Sequence, residues 1–371
     1  MSFLRCTPSV FVIGSEYEIL INTLENGIIF VDVAGESYYE ENSGVLSSEK
    51  DYAKIRIPQE VLNKTKSYTV HYQKTINRKA YCSEMAEEEI KAYTFKPLEK
   101  TENINIYHVA DVHYRFENAV LACSYFGEEL DLLVVNGDIG EVETVKNYNE
   151  VAKFCGDISK GEVPIIFARG NHDTRGKLAE RFTDYFPADG KKTYFKFEIG
   201  SLCGVVIDCG EDKNDNHLDH GFMKYWKFNT PYVYGGVNRF HEFRQKELSF
   251  LQNTTLDNNK IRFAICHCPP VMVTDNKDSA FNIEKDCYTK WNAELERMGI
   301  QFMLCGHFHK NFVLKQGDER NIIDHKYPVL VGSQPQKENF IGVAITLNRN
   351  KMEVVFNDKN HAVVDRLTVD F

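Results

Sequence analysis

The stretch VPIIFARGNHDTRG, residues 163–176, runs from a buried strand directly into a cluster of polar side chains. Its apolar part ends at Ala168, and after Arg169 and Gly170 an amide, an imidazole and a carboxylate follow as Asn171, His172 and Asp173. A short apolar run bounded by turn residues is typical of a fully buried strand. Three adjacent polar side chains are an unusual way to end such a strand, and they suggest a site.

Four other apolar segments end in the same manner. The segment 103–111 ends on Asp111 and runs on to His113, 130–138 ends in Gly-Asp, 261–267 ends in one histidine, and 301–309 ends in Gly-His-Phe-His. In open α/β sheets, ligands bind at the edge formed by the carboxyl ends of the strands. Each fragment alone is a weak signal, but stability does not explain five of them, because it favours apolar or turn residues there. The candidate metal ligands are Asp111, His113, Asp138, Asn171, His267, His307 and His309.

These seven side chains supply two carboxylates, one amide oxygen and four imidazoles. One octahedral ion cannot use seven side chains, whereas two ions can if one carboxylate bridges them. Two-metal sites with ions about 4 Å apart clamp the attacking and leaving oxygens of an in-line displacement. Mixed nitrogen and oxygen ligands favour Mn, Fe, Co, Ni or Zn over Ca. The sequence therefore predicts two divalent or transition-metal ions.

The cysteines do not suggest disulfides or a thiolate metal site. Ten cysteines in 371 residues, without a CxxC pair, are not a disulfide framework. Cys266 and Cys268 flank His267. Because alternate residues of a strand face opposite sides, both thiols should point away from the side that His267 uses, if the strand extends that far.

The pattern of the chain changes near residue 97. Residues 1–97 hold short extended runs separated by turn signals, with clear period-2 alternation in SYTVHYQ, 67–73, which favours a small antiparallel β-sandwich. In residues 98–371, buried strands alternate with helical stretches, which indicates an α/β domain. The predicted helices lie near 117–126, 144–158, 175–185 and 288–298.

Composition narrows the class of protein. The formal net charge of −10 argues against a broad basic surface for nucleic acid or for an anionic membrane. No stretch approaches the roughly 20 apolar residues of a membrane span, and the N-terminal residues do not resemble a secretory signal. We therefore expect a soluble, cytoplasmic protein, and the sequence leaves its oligomeric state open.

The order DxH, GD, GNHD, H and GHxH resembles the calcineurin-like metallophosphoesterase superfamily over about residues 103–345. The resemblance implies a four-layer α/β sandwich with a dinuclear centre at the sheet edge, here preceded by the small all-β domain. It implies hydrolysis of a small phosphorylated substrate by in-line attack of a metal-bridging hydroxide. By position, the first metal would have Asp111, His113 and His309, the second would have Asn171, His267 and His307, and Asp138 would bridge them.

Three further residues receive roles beside these ligands. His172 resembles the non-ligand histidine that protonates the leaving group, and as an imidazolium it could also hold a phosphate oxygen. Arg115 is either a bidentate phosphate ligand or an ordinary surface arginine. Asp173 either orients a neighbour or caps a helix that begins near Arg175.

A β-sandwich before such a domain also resembles purple acid phosphatases, but two positions depart from that branch. It has a glycine where this chain has His113, and a tyrosine ligand shortly after GD, where this chain has Ile-Gly-Glu-Val at 139–142. Without a tyrosinate ligand, we expect neither the charge-transfer colour nor a redox-active ferric centre.

The substrate is less constrained than the chemistry. A phosphomonoester is the simplest substrate, with a phosphodiesterase or nucleotidase as the alternative, and a catalytically dead binding module conflicts with the complete ligand set. The long irregular segment 208–240 is either a lid whose rings stack a planar leaving group or a loop packed on the domain. Its candidate residues are His217, His220, Trp226, Tyr232, Tyr234 and Arg239.

Overall fold

The computed structural model describes residues 2–213, 215, 239–272 and 285–371. The helices are α1 (Gln59–Thr65), α2 (Phe116–Cys123), α3 (Val145–Ser159), α4 (Phe182–Tyr185), α5 (Phe240–Asn253) and α6 (Lys285–Arg297). The first strands are β1 (Ser9–Ile13), β2 (Glu16–Asn22), β3 (Gly27–Val33), β4 (Glu36–Tyr39), β5 (Glu41–Asn42), β6 (Val45–Leu46), β7 (Tyr52–Pro58), β8 (Ser67–Asn77), β9 (Glu84–Thr94), β10 (Ile104–Val109) and β11 (Leu132–Asn136). The later strands are β12 (Pro164–Ala168), β13 (Phe195–Ile199), β14 (Leu202–Val206), β15 (Ile261–Ile265), β16 (Phe302–Cys305), β17 (Phe312–Leu314), β18 (Val329–Val331), β19 (Gln334–Pro335), β20 (Phe340–Leu347), β21 (Lys351–Asn357) and β22 (Val363–Asp370).

The largest sheet joins strands from both ends of the chain, in the order β22-β21-β20-β10-β11-β12-β1-β2-β7. β10, β11 and β12 are parallel neighbours, as buried strands joined by helices should be. β1 lies parallel to β12 and pairs Val10 with Pro164 and Phe11 with Ile165. The first strand of the chain is therefore bonded directly to the strand that carries the GNHD motif.

A second sheet, ordered β13-β14-β15-β16-β18-β17, faces the first across an apolar core. Ile106, Val134 and Ile166 from the first sheet share this core with Phe263 and Leu304 from the second. Helices α2, α3 and α4 cover the outer face of the first sheet, and α5 and α6 cover the outer face of the second. This arrangement confirms the predicted four-layer α/β sandwich.

The N-terminal strands form the predicted small β-sandwich, but one of its sheets is shared. The sheet β4-β3-β8-β9 packs Val31 and Val70 into the same core that receives Val12, Ile19 and Ile55 from β1, β2 and β7. These last three strands extend the large sheet that also contains β10, β11 and β12. The division of the chain at residue 97 stays a prediction, and the two parts share both a sheet and a core.

Local structure departs from the prediction in several places, and one is the helix α5 (Phe240–Asn253), which was not predicted. The helix predicted over 175–185 is wrong: the chain forms short 3-10 turns, and then only the single turn of α4. Gly176, with φ +99°, interrupts the helix there. The acidic and exposed strand β9 lacks the apolar alternation by which a strand is recognised.

Within the described ranges, no helix combines the length and the apolar character that crossing a membrane requires.

Because β1 pairs with β12 in the shared sheet, we expect its buried side chains to contribute to the stability of the whole protein. Phe11 is fully buried, and its ring meets that of Phe167 edge-on at a centroid distance of 5.9 Å. Phe11→Ala should lower the free energy of unfolding by about 3–5 kcal/mol. The control Ile90→Ala, on the exposed edge strand β9, should change it by less than about 0.5 kcal/mol. Urea unfolding followed by circular dichroism measures both, and equal losses would contradict this placement of β1.

Candidate metal centre

The seven predicted ligands all lie just beyond the carboxyl ends of five strands. Asp111 and His113 follow β10, Asp138 follows β11, and Asn171 follows β12 in the first sheet. In the second sheet, one predicted ligand follows β15 and two follow β16. The two sheets therefore deliver their polar loops to one place, as the strand pattern predicts.

The backbone is strained at the candidate ligands of three of these loops. A positive φ is uncommon for residues other than glycine, yet five of the seven predicted ligands have one. Such conformations cost about 1–3 kcal/mol each and persist where the surroundings enforce them, often at functional sites. The five residues and their φ angles are Asp111 (54°), His113 (43°), Asp138 (55°), His307 (74°) and His309 (52°).

Two glycines allow the loops to approach each other closely. A Cβ on Gly170 would lie 2.2 Å from Asp138 Oδ1, and a Cβ on Gly137 would lie 2.4 Å from the Gly170 nitrogen. Gly137 also has φ +77°. The GD and GN dipeptides therefore need glycine because the two loops touch through their backbones.

The first group of candidate ligands is Asp111, His113 and His309, whose ligand atoms lie within 4.8 Å of one another. His309 Nε2 is 3.3 Å from Asp111 Oδ1 and 3.1 Å from His113 Nε2. Asp111 Oδ1 is buried and has no hydrogen-bond partner among the described residues. A buried carboxylate oxygen that faces imidazole nitrogens fits a cation among them.

The second group contains Asn171, His267 and His307. The Asn171 amide oxygen lies 3.1 Å from His307 Nδ1 and 3.3 Å from Asp138 Oδ2. Without a metal, hydrogen bonding would favour the opposite orientation of the Asn171 amide, with its nitrogen facing Asp138 and His307. A metal ion bound between these side chains would instead favour the orientation in which the amide oxygen faces them. The donor set of this group therefore also fits a cation.

The outward nitrogens of the second-group histidines are held by partners. His267 Nδ1 lies 2.6 Å from the carbonyl oxygen of Asn136, which leaves Nε2 facing the carboxylates. His307 Nε2 lies 3.6 Å from Asp212 Oδ2, which leaves Nδ1 facing inward. Metal-binding histidines are commonly fixed in this way by a carbonyl or a carboxylate on the other nitrogen.

Asp138 lies between the two groups. Its Oδ2 is 3.8 Å from His113 Nε2, 3.2 Å from His267 Nε2 and 3.3 Å from the Asn171 amide oxygen. Burial acts to raise the pKa of Asp138, but the neighbouring histidines, His267 most of all, hold it below its ordinary value. An ionised carboxylate therefore faces both groups of candidate ligands.

Asp173 orients its neighbours. Its Oδ2 accepts hydrogen bonds from the backbone nitrogens of Gly170 at 2.8 Å and Asp138 at 3.1 Å. No helix begins near Arg175 for it to cap. Burial and the charge of Asp138 raise the pKa of Asp173 to about 7. The carboxylate ties together the two loops whose side chains are the candidate ligands.

His172 stands at the rim of the centre, with 40% of its side chain exposed. Its Nε2 lies 3.9 Å from Asp138 Oδ2 and accepts a hydrogen bond from Arg175 Nη1 at 3.1 Å. Burial and the positive charge of Arg175 lower the pKa of His172 to about 4, against the opposing effect of Asp138. Arg175 is itself paired with Glu211 at 2.6 Å through Nε.

Sequence reasoning missed this Arg175–Glu211 pair. The arginine stands three residues after His172, but its carboxylate partner comes from a distant loop after β14. Nothing in the local pattern links the two.

The structure describes only some of the remaining candidate residues. Arg115 Nε donates to the carbonyl oxygen of Gln336 at 3.1 Å, and its Nη1 donates to that of His113 at 3.4 Å. It therefore joins two loops at the site, and its phosphate contact stays a prediction. Arg239 precedes α5 and pairs with Glu242. The other lid candidates lie outside the described residues: His217, His220, Trp226, Tyr232 and Tyr234.

This fold and this donor set define a metallohydrolase. Residues 104–311 match the calcineurin-like phosphoesterase family, and the chain belongs to that family. It is therefore a metal-dependent phosphoric ester hydrolase.

Two solved structures share the fold. The purple acid phosphatase PPD1 from yellow lupin (Lupinus luteus) seeds aligns with a TM-score of 0.58 and 10% identity, over 98% of this chain and 74% of that one. PhoD aligns with a TM-score of 0.56 and 10% identity, over 100% of this chain and 91% of that one. No curated protein sequence matches the chain. At these identities, the similarity concerns the fold alone.

Because Asp173 joins the backbones of two ligand loops, we expect its substitution to weaken metal binding. Asp173→Ala removes the acceptor for two backbone N–H groups, and metal affinity should fall by about 10–100-fold. The matched variant Asp173→Asn keeps an acceptor oxygen and should lose less. Chelator competition measures the affinities of both, with circular dichroism as the check on folding. Unchanged affinity in a folded Asp173→Ala protein would contradict the role of Asp173.

Proposed function

We propose that the protein hydrolyses phosphate monoesters with two divalent or transition-metal ions, drawn from Mn, Fe, Zn, Co and Ni. The observation that carries the proposal is Asp138 Oδ2, which faces ligand atoms of both groups within 4 Å. A carboxylate so placed suits a bridge between two ions. When bound, such ions supply an activated water at neutral pH and neutralise charge on the phosphate.

In this proposal each ion has its own group of three side chains. Asp111, His113 and His309 would hold the first ion, whereas Asn171, His267 and His307 would hold the second, and Asp138, which faces both groups, would be shared. The carbonyl of Asn136 and the carboxylate of Asp212 keep the histidines of the second ion in orientation. The substrate phosphate then approaches from the rim, where His113 and His172 are partly exposed.

His172 acts on the substrate from that rim. It is adjacent to Asn171 in the chain but turns its ring to the exposed side, so it can meet a phosphate oxygen or a leaving-group oxygen. Arg175 donates to its Nε2, so the proton of the neutral ring lies on Nδ1 in this arrangement. Delivery of a proton through Nε2 therefore requires Arg175 to shift towards the phosphate when the substrate binds.

The charge at the rim favours a monoester. Arg115 lies beside the candidate ligand His113, whereas Arg175 lies beside His172 and is already paired with Glu211 and Asp212. A monoester carries two negative charges near neutral pH and a diester carries one, so the second charge gains more from the Arg115 guanidinium group.

A nucleotide-like substrate is the second candidate. A cavity of about 830 Å³ lies beside the loop that follows His113, and Tyr114, Phe116 and Phe154 line it. Aromatic walls suit a planar leaving group. In that case the enzyme would be a nucleotidase or a phosphodiesterase with the same metal centre.

Turnover of two chromogenic esters tests the proposed function. Protein loaded with Mn²⁺ should release p-nitrophenol faster from p-nitrophenyl phosphate than from bis(p-nitrophenyl) phosphate, and chelation should abolish both reactions. Nucleoside monophosphates should be tested beside them for release of phosphate. A faster reaction with the diester would replace the monoesterase by a phosphodiesterase. Metal-loaded, folded protein that cleaves none of these esters would contradict the proposal.

If His172 protonates the leaving group, the rate loss caused by its substitution should depend on the leaving group of the substrate. His172→Ala should retain metal, because Asn171 is the proposed ligand, and should slow an alkyl phosphate by about 10²–10⁴-fold. The loss should be smaller for p-nitrophenyl phosphate, since p-nitrophenolate leaves without protonation. Rates for both substrates and the metal content of both proteins decide the point. Equal losses on the two substrates would mean that His172 holds the phosphate and does not donate a proton.

A further inference from the structure

A thiol lies beside the second group of candidate ligands. The sulfur of Cys268 is 3.7 Å from Asn171 Oδ1 and within 4.8 Å of ligand nitrogens of His267 and His307. The expectation that this thiol points away from His267 is therefore wrong. β15 ends at Ile265, so strand alternation no longer governs residue 268.

We propose that Cys268 is a further metal ligand, which completes the second site together with Asn171, His267 and His307. This inference rests on the proposed function, because it assumes that an ion binds in that group. Binding would replace the thiol S–H bond by a sulfur–metal bond and release the proton to solvent.

The spacing of the donor atoms suits one ion. In zinc sites, oxygen ligands lie at about 2.1 Å and sulfur ligands at about 2.3 Å, so around a five-coordinate ion, with angles of about 90–120°, the two atoms are about 3.1–3.8 Å apart. The observed separation between Asn171 Oδ1 and Cys268 Sγ is 3.7 Å. The 3.1 Å between Asn171 Oδ1 and His307 Nδ1 also corresponds to two ligands of one ion. No large movement of the loop is required.

Cys268 is better placed for this role than the thiols near it. Cys209 and Cys266 are buried in the apolar core between the second sheet and its helices, whereas Cys268 is partly exposed at the edge of that core. Cys266 Sγ contacts the carbonyl oxygen of Cys268 at 3.1 Å and does not belong to the cluster with His267 and His307. Cys266 is therefore a matched control two residues away.

A thiolate ligand would change which metals the second site prefers. Soft sulfur ligands select Zn²⁺ and similar ions, whereas carboxylate and water ligands suit Mn²⁺. The site should therefore bind Zn²⁺ or Cd²⁺ more tightly than an otherwise equal site with only nitrogen and oxygen ligands. The first group has no sulfur among its clustered ligand atoms in the described chain, so its preference should differ.

Cobalt substitution tests the inference with a signal that is independent of activity. Metal-free protein titrated with two equivalents of Co²⁺ should develop a sulfur-to-cobalt charge-transfer absorption in the near ultraviolet. The absorption should vanish in Cys268→Ser and persist in Cys266→Ser. Chelator competition should show that Cys268→Ser weakens Cd²⁺ binding by at least about tenfold and leaves Mn²⁺ binding nearly unchanged.

Two results would overturn the inference and leave the proposed function intact. One is wild-type protein that binds two Co²⁺ ions without this absorption, and the other is an absorption that survives in Cys268→Ser. Failure to bind two ions at all would instead contradict the proposed function. If Cys268→Ser does not fold, X-ray absorption of the zinc-loaded wild type decides, because a Zn–S distance of about 2.3 Å must appear. Its absence would overturn the proposal.

Discussion

Two carboxylates buried side by side, Asp111 and Asp138, set the constraint on which the rest of the site depends. Both are almost fully buried, and both face His267 Nε2, at 3.7 and 3.2 Å. Burial of charge without compensation costs several kcal/mol per ion, so this arrangement needs positive charge at its centre. Burial acts to lower the pKa of His267, yet the two carboxylates raise it well above its ordinary value. Bound cations, with His267 as a neutral ligand, would supply this charge in the loaded enzyme.

The fold holds five loops together at this centre, and three of them contain ligands with strained backbone conformations. Parallel strands of two facing sheets end at the same edge, Gly137 and Gly170 let two loops touch, and Asp173 ties their backbones together. The apolar core that fixes these strands also includes side chains from the first strands of the chain. The N-terminal part thus reinforces the catalytic sheet through β1, although the candidate ligands all come from residues after 104.

The strand ends and their polar residues could be predicted because they have a local signature: an apolar run followed by Asp, Asn or His. Their convergence followed from the alternation of strands and helices. The pairing of β1 with β12 had no such signature, since strands more than 150 residues apart pair through their backbones. The Arg175–Glu211 pair was missed for the same reason. Cys268 was misjudged because the argument from alternation requires a strand that continues to residue 268, and β15 ends at Ile265.

The central claim is that Asp138 bridges two metal ions, and a crystal structure of protein grown with Mn²⁺ tests it most directly. An anomalous difference map should contain two peaks about 3.5–4 Å apart, one beside His113 and His309 and the other beside Asn171 and His307. The carboxylate of Asp138 should contact both. A single peak at full Mn²⁺ saturation, or two peaks with Asp138 bound to only one of them, would contradict the account.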